Sequence, residues 1–518
     1  MTHRLSKSRF LDGLQCHKLL WWKTHEGDAP ELSVGPQLQL VFDQGTEVGR
    51  RACEEFPGGV LIDLPHWEAE ARVHATREAM ASGAPAVFEA TFIEEDVFVA
   101  VDILARTDGG GWRLIEVKSS LDLKEVHIPD AAVQTWVLER AGVQVDRVEL
   151  MHLNRACVFP DLTDLFLSDE ITAEVLDFLP QIPSLVHEQK TVLTGGLPAV
   201  PTGSHCRLPY ECPFQGRCWT PEPSDSVARL YHGGAKKDRL RAMDVRKLGE
   251  IPVDFDLSAV QERQRRAART GPLIVEEGLR VALENLVQES QGPDVDSRAS
   301  GPNSDGLGPG PAPASPSPLA FLDFETVAPF IPRWEGCRPF STLPVQFSCH
   351  FREVDGTERH EEWLHQGPED PRPACAHRLL DLLENVPVIL AYNAPFEVRC
   401  IRGLADAVPG LAAPLTALAD RIKDLLPVVR EHIYHLDFQG SFSLKAVLPA
   451  LVPDLTYEGL EIKDGGEASA WLFRLLFHPE SIEADRVDRL RSDLLAYCRL
   501  DTLALVRLLG RLEELAGG

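Results

Sequence analysis

No uninterrupted apolar run in this sequence approaches the ~18 residues that span a bilayer, which argues against a helical membrane protein. The opening Met-Thr-His-Arg-Leu-Ser-Lys-Ser-Arg-Phe has no apolar h-region, so export by the usual signal is not expected. Basic residues are scarce: 52 Lys+Arg against 79 Asp+Glu leave a net charge of −27. A general nucleic-acid coat needs a basic surface and is excluded. An enzyme that gathers carboxylates around metals and confines its basic residues to a channel is not. Cysteine totals eleven, an odd number. With no secretory signal a disulfide framework is not expected, and cysteine here means metal binding or core packing. A cytoplasmic protein without a membrane partner is the expectation.

What is present reads as globular. Hydrophobic residues make up 44% and charged residues 25% of 518 residues, a length of roughly three domains of about 150 residues. Residues 288–318 end in Gly-Pro-Gly-Pro-Ala-Pro-Ala-Ser-Pro-Ser-Pro. Such a stretch buries too little apolar surface to offset its ordering entropy and should be a solvated, flexible linker. On either side strand-like and helix-like segments alternate, which predicts an α/β fold in both halves. Val97–Ala105 and Trp112–Lys118 read as β-branched strands joined by Asp-Gly-Gly-Gly, and 130–141 as a helix. Leu319–Thr326 and Val386–Tyr392 read as strands, Leu379–Leu383 as part of a helix, and 483–516 as a long amphipathic helix.

Asp102 interrupts an apolar strand, and Glu116 and Lys118 stand two apart on the next. Period-two geometry puts Glu116 and Lys118 on one face, where Asp102 can meet them. Two carboxylates with a lysine suit Mg²⁺: hard oxygens hold the ion, and the ammonium stabilises phosphate charge or orients water. A salt bridge between Lys118 and an acid is the bland alternative. Val-Asp-Ile-Leu, a Gly-rich turn, Leu-Ile-Glu-Val-Lys-Ser-Ser and then Gln134 on the next helix resemble the PD-(D/E)XK nuclease superfamily, in its RecB-like and Cas4-like branches. The resemblance implies a restriction-endonuclease-like fold. It gives metal binding to Asp102 and Glu116, water activation to Lys118 and water positioning to Gln134. The chain departs from those relatives in two places. It reads Gly45-Thr-Glu-Val-Gly49-Arg-Arg-Ala52 where they carry a helical His, and Leu138 where an aromatic follows the Gln. Glu89 is a weak substitute for the third ligand.

Cys206, Cys212 and Cys218 follow the spacing Cys-x5-Cys-x5-Cys, with Cys16 190 residues upstream of the first. Structural zinc, the competing reading, prefers Cys-x2-4-Cys pairs, and neither gap fits. One ligand at the N-terminus and three beyond the nuclease core resemble Cas4-like and AddB-like nucleases, which implies a [4Fe–4S] cluster on these four thiolates. Cys53, Cys157, Cys337, Cys349, Cys375, Cys400 and Cys498 show no ligand spacing and read as core.

Beyond the linker, Asp323 and Glu325 share a strand face, Glu397 follows Asn393 after a buried strand, and Tyr497 and Asp501 lie four apart on a helix. The three motifs in this order resemble the DEDD exonucleases of the ribonuclease H-like fold, in the tyrosine variant. Glu397 stands for the usual Asp. The resemblance makes Asp323, Glu325, Glu397 and Asp501 metal ligands for Mg²⁺ or Mn²⁺, with Tyr497 orienting the water. Asp424-Leu-Leu and Gly440 to Pro449 look like the intervening region of that family.

These readings divide the chain into a nuclease-like domain (1–225), a helical connector (226–287), the linker (288–318) and an exonuclease-like domain (319–518). The combination resembles a bacterial family, domain of unknown function 2779. Residues 236–269 carry ten Lys/Arg and six acids, a +4 window that is either a phosphate guide or a solvated helical face. The function expected is a metal-dependent nuclease, acting as an exonuclease on DNA more than on RNA. A non-catalytic or single-site nucleic-acid-binding scaffold in DNA repair or defence is the alternative. A small-molecule hydrolase on the same folds is disfavoured by the basic middle.

Overall fold

The computed structural model of the protein describes residues 4–288 and 318–517, and the expected linker lies outside these residues except at its two ends. The chain forms two compact units, Met1–Thr220 with Ala328–Ser341, and Pro221–Val327 with Thr342–Gly518. Both are mixed α/β. No helix among the described residues is long and apolar enough to cross a membrane.

The first unit is built on a seven-stranded mixed sheet. Its strands are β1 (Leu5–Ser6), β2 (Val60–Leu61), β3 (Ala86–Glu94), β4 (Val97–Arg106), β5 (Trp112–Lys118), β6 (Val145–Leu153) and β7 (Phe166–Glu170). The order is β2-β3-β4-β5-β6-β7, with β1 pairing β4. The two strands expected around Asp102 and Glu116 are β4 and β5. The helix His127–Arg140 is buried at nearly every position from Asp130 to Leu138, as a helix without a strongly polar face must be. Its Val133, Trp136 and Val137 share one core with Leu5, Val101 and Leu114.

In the second unit a five-stranded sheet runs β11-β10-β9-β12-β13. The strands are β9 (Leu319–Val327), β10 (Leu343–Arg352), β11 (Glu358–Leu364), β12 (Val388–Ala391) and β13 (Ile422–Asp424). β10 is antiparallel to β9 and β11, whereas β12 is parallel to β9 and β13. The 226–287 segment joins this unit: β8 (Leu273–Val275) pairs with β14 (Ile433–His435). β9 is buried on both faces. Leu319 and Phe321 pack with Leu505 and Leu508 of the long helix Ala484–Gly517, while Ala320, Leu322 and Phe324 pack with Leu379 and Ile401 on the other side.

Candidate active sites

The first site forms where the large sheet forks. β4 and β5 pair only from Ile103/Ile115 to Arg106/Trp112, and β1 pairs with the opening of β4 at Val97 and Phe98. Asp102 and Glu116 are thus the first residues beyond the β4–β5 ladder. The Asp102 carboxylate replaces the missing rung, its Oδ2 accepting the Val117 N–H at 2.7 Å.

Glu116 is buried, and both its oxygens are engaged. Oε1 accepts from Lys118 Nζ at 2.7 Å and Lys7 Nζ at 2.8 Å, and Oε2 accepts from Gln134 Nε2 at 2.7 Å. Lys118 also donates to Asp130 Oδ2 at 2.5 Å, and Lys7 lies 3.5 Å from Asp130 Oδ1. The four residues singled out in the sequence therefore converge, joined by two that were not. Asp130 stands one helical turn before Gln134, a spacing that was legible. Lys7, 109 residues from Glu116, gave no signal. Glu89 stands opposite Asp102 in the β3–β4 register; its backbone is left-handed at φ 56° and its half-exposed carboxylate lies 3.4 Å from Arg72.

Charge in this pocket is compressed. Burial and the Glu116 charge push Asp102 up to about 7. Burial acts the same way on Glu116, but Lys118 and Lys7 outweigh it and hold that carboxyl well below its usual range. Burial acts to lower Lys118, yet Glu116 and Asp130 keep it above the ordinary lysine value. Lys118 is therefore an ammonium group, suited to neutralising an anion rather than taking a proton. Asp102 and Glu116, beside a buried Gln134 Oε1 that lacks a hydrogen-bond partner, are the oxygen donors this pocket offers a hard divalent cation, and Lys7 and Lys118 share Glu116 with it.

Cys16, Cys206, Cys212 and Cys218 line one small cavity with Trp22, His205 and Phe214. Cys16 sits between the helices Lys7–Gln15 and His17–His25. The neighbouring Gln15 side chain binds the cysteine loop, donating to the carbonyls of His205 at 2.9 Å and Tyr210 at 2.7 Å. Burial raises the thiols of Cys212 and Cys218, and the neighbouring thiols add to the effect. Four thiols around one cavity fit a metal centre held by thiolates.

In the second unit Asp323 and Glu325 alternate with the core residues of β9 and face the long helix. That helix presents Tyr497 and Asp501, and the four residues line one cleft of about 670 Å³ with Asn393 and Lys445. Donor atoms of Asp323, Glu325 and Cys498 lie within 4.8 Å of one another. Burial and the charge of Asp501 push Asp323 and Glu325 well above the carboxylate range. Acids this close cannot all ionise without a cation, so the donor set fits a metal. Glu397 is buried but does not line the cleft; its Oε2 has no partner, and burial pushes it up to about 7. Its charge reaches Asp323 as one of the forces raising that group. Asn393 takes the left-handed backbone that Asn tolerates, φ 69°, and its N–H donates to Asp424 Oδ1 at 2.9 Å.

Three residues of this site were not assigned to it from the sequence. Lys445 Nζ donates to the Tyr497 hydroxyl at 3.1 Å and to the Lys463 carbonyl at 2.8 Å. Tyr457 donates to Asp501 Oδ1 at 2.5 Å. Cys498, read as core, is buried, but its Sγ lies 3.6 Å from Asp323 Oδ2. Lys445 falls in the stretch from Gly440 to Pro449 that had drawn notice without a role. It stands two residues beyond Ser443, the N-cap residue of the helix Leu444–Leu451.

The basic window at 236–269 is largely neutralised within the second unit. Lys236 pairs with Asp256, Arg241 with Asp238, Arg246 with Asp244, Lys247 with Asp225, and Arg265 with Glu262. Arg263 and Arg266 both reach Glu276. Arg269 donates to the carbonyls of Gly249 and Ile251. These pairs tie the connector to its own unit; Asp238, Asp244, Asp256 and Glu262 belong to the window itself, so only Asp225 and Glu276 reduce its +4 charge, to +2.

A family model described as a domain of unknown function (DUF2779) matches residues 320–443. No curated protein matches the chain. Among solved structures the chain is similar to "Crystal structure of SSO0001", with 13% identity, 42% of this chain and 86% of that chain covered, and a TM-score of 0.21.

Proposed function

We propose that the protein is a metal-dependent nuclease with two phosphodiester-hydrolysing centres, a PD-(D/E)XK-like one in the first unit and a DEDD-like, tyrosine-type one in the second. The observation that carries this reading is the convergence of Asp323 and Glu325 of β9 with Tyr497 and Asp501 of the long helix on a single cleft. Divalent ions held by Asp323, Glu325 and Asp501, and by Asp102 and Glu116 in the first unit, would supply Lewis-acid stabilisation of attacking and leaving oxygens. Asp130 joins the first set as a partner of Lys118.

The chain's own groups divide the remaining work. Lys118, an ammonium in contact with Glu116 and Asp130, neutralises charge at the phosphate. Gln134 holds Glu116 by one amide end and offers its unpartnered oxygen to a water. In the second centre the Tyr497 hydroxyl accepts from Lys445, which leaves its proton to be aimed into the cleft. The four converging cysteines fit a [4Fe–4S] cluster that ties the N-terminal helices to the 203–218 segment. Nucleic acid, DNA before RNA, is the substrate class that two such centres serve.

The test uses end-labelled single- and double-stranded DNA and RNA with Mg²⁺ or Mn²⁺ on anaerobically purified full-length protein. Lys118→Ala is expected to abolish one activity and Asp323→Ala the other. No cleavage of any substrate by the parent would overturn the reading. Loss of all cleavage through either single change would reduce it to one centre.

A further inference from the structure

Lys7 is the one ammonium at the first site that the catalytic assignment above leaves without a task. It follows β1 directly, and β1 enters the fork that β4 and β5 leave open, so the position of Lys7 is set by the same register that exposes Asp102 and Glu116. Its side chain is only 20% exposed, and its Nζ shares Glu116 Oε1 with Lys118. The helix that carries it is pinned along its length. Gln189 donates to the Phe10 carbonyl at 3.0 Å, and a Cβ at Gly13 would meet the Gln189 side chain at 2.3 Å. The helix therefore fixes the base of Lys7 beside Glu116, and only the side chain is free to turn.

Charge count indicates what it is for. With all three acids ionised, Asp102, Glu116 and Asp130 against Lys7 and Lys118 leave one net negative charge, which one divalent ion converts to one positive. A phosphodiester, singly charged, then neutralises the pocket. With Lys118 alone the ion-loaded pocket would be neutral before any phosphate arrived, and a bound phosphodiester would leave an uncompensated buried charge.

Resting on the nuclease reading of this site, we propose that Lys7 is a phosphate-binding residue of the first centre: it occupies Glu116 while the ion is absent and turns to the substrate phosphodiester once the ion has taken that carboxylate. The two roles pull in opposite directions when Lys7 is removed. Ion binding should tighten, because Lys118 alone then competes with the ion for Glu116, whereas nucleic-acid binding should weaken.

The test uses full-length protein carrying Asp323→Ala, so that the second centre is silenced, with and without Lys7→Met. Calorimetric titration with Mn²⁺ is expected to show several-fold tighter binding in Lys7→Met. Binding of a single-stranded oligonucleotide in Ca²⁺ is expected to weaken by about tenfold, the scale of one charge-assisted hydrogen bond, and Lys7→Arg should recover most of it. Unchanged affinities in both titrations would refute the role of Lys7 while leaving the nuclease reading intact. A parent without Ca²⁺-dependent oligonucleotide binding would overturn both. If Lys7→Met weakens both affinities and Lys7→Arg recovers neither, Lys7 is a structural strut. Should Lys7→Met not fold, Lys7→Gln, which keeps a donor to Glu116 without the charge, carries the same comparison. Failure of both variants to fold overturns the proposal.

Discussion

The Lys445 ammonium donates to the Tyr497 hydroxyl at 3.1 Å, joining residues 52 apart in the chain. A phenol oxygen that accepts from lysine directs its own proton away from that lysine. In this cleft Asp501, Glu325 and Asp323 lie on that side, and after burial they are the charges that raise Tyr497 most. Lys445 thereby sets the direction of the Tyr497 hydroxyl proton.

Tyr497→Phe keeps the ring and its packing while removing that hydroxyl, so stability should hardly change. Cleavage by the second centre should fall on the order of 10²-fold, the usual cost of one positioned hydrogen-bonding group. Lys445→Met should lower the rate in the parent but add little in the Tyr497→Phe background, which a double-mutant cycle reads directly. A Phe variant as fast as its parent, in protein whose first centre is silenced by Lys118→Ala, would remove the tyrosine-type assignment.

The four cysteines make an optical prediction. Protein isolated anaerobically should be brown, absorbing near ~400 nm as thiolate-ligated iron–sulfur centres do. Cys212→Ser should bleach it and lower the unfolding temperature of the first unit, because Cys212 packs with Leu19 and Trp22 of an N-terminal helix. Colourless, folded protein containing zinc would contradict this.

Glu397 yields a pH dependence. Its carboxyl is raised from 4.5 to about 7 by burial, so the unfolded chain ionises first as pH rises. Stability is unaffected below about pH 4.5, is lost progressively up to about pH 7, and stays lowered above that. Without divalent ions, Glu397→Gln should stabilise the second unit at pH 8 by on the order of 3 kcal/mol and leave it unchanged near pH 4. Equal unfolding midpoints of parent and variant at pH 8 would show that Glu397 is already compensated.

Gly440 tests the tie between the connector and the second unit. Its φ is +79°, and a Cβ there would lie 1.9 Å from the Arg229 carbonyl oxygen. Gly440→Ala should cost about 2 kcal/mol or more, from backbone strain and displacement of the Arg229 segment together. Calorimetry of the second transition checks it, and an unchanged midpoint would mean that Arg229 yields freely.

The sequence by itself determined the local geometry of both candidate sites. Alternation along a strand is a property of the backbone, so Glu116 with Lys118, and Asp323 with Glu325, had to share faces wherever their strands lay. Helical spacing did the same for Tyr497 and Asp501, and for Asp130 and Gln134. The tertiary structure decided which faces meet. The strand Val386–Tyr392 shortened to Val388–Ala391, because its parallel pairing covers only Val388 to Leu390 with β9 and Ile389 to Ala391 with β13. The basic window pairs with Asp256 and Glu262 inside it and with Glu276 beyond it, and only the fold could bring the Asp256 and Glu276 contacts about. Lys7, Tyr457 and Cys498 carry no local pattern that marks a site. They reach the carboxylates because β1 enters an open fork, because Tyr457 meets Asp501 from 44 residues away, and because the long helix packs Cys498 against Asp323 of β9. Each placement follows from burying apolar surface between segments distant in the chain, and no local periodicity encodes that.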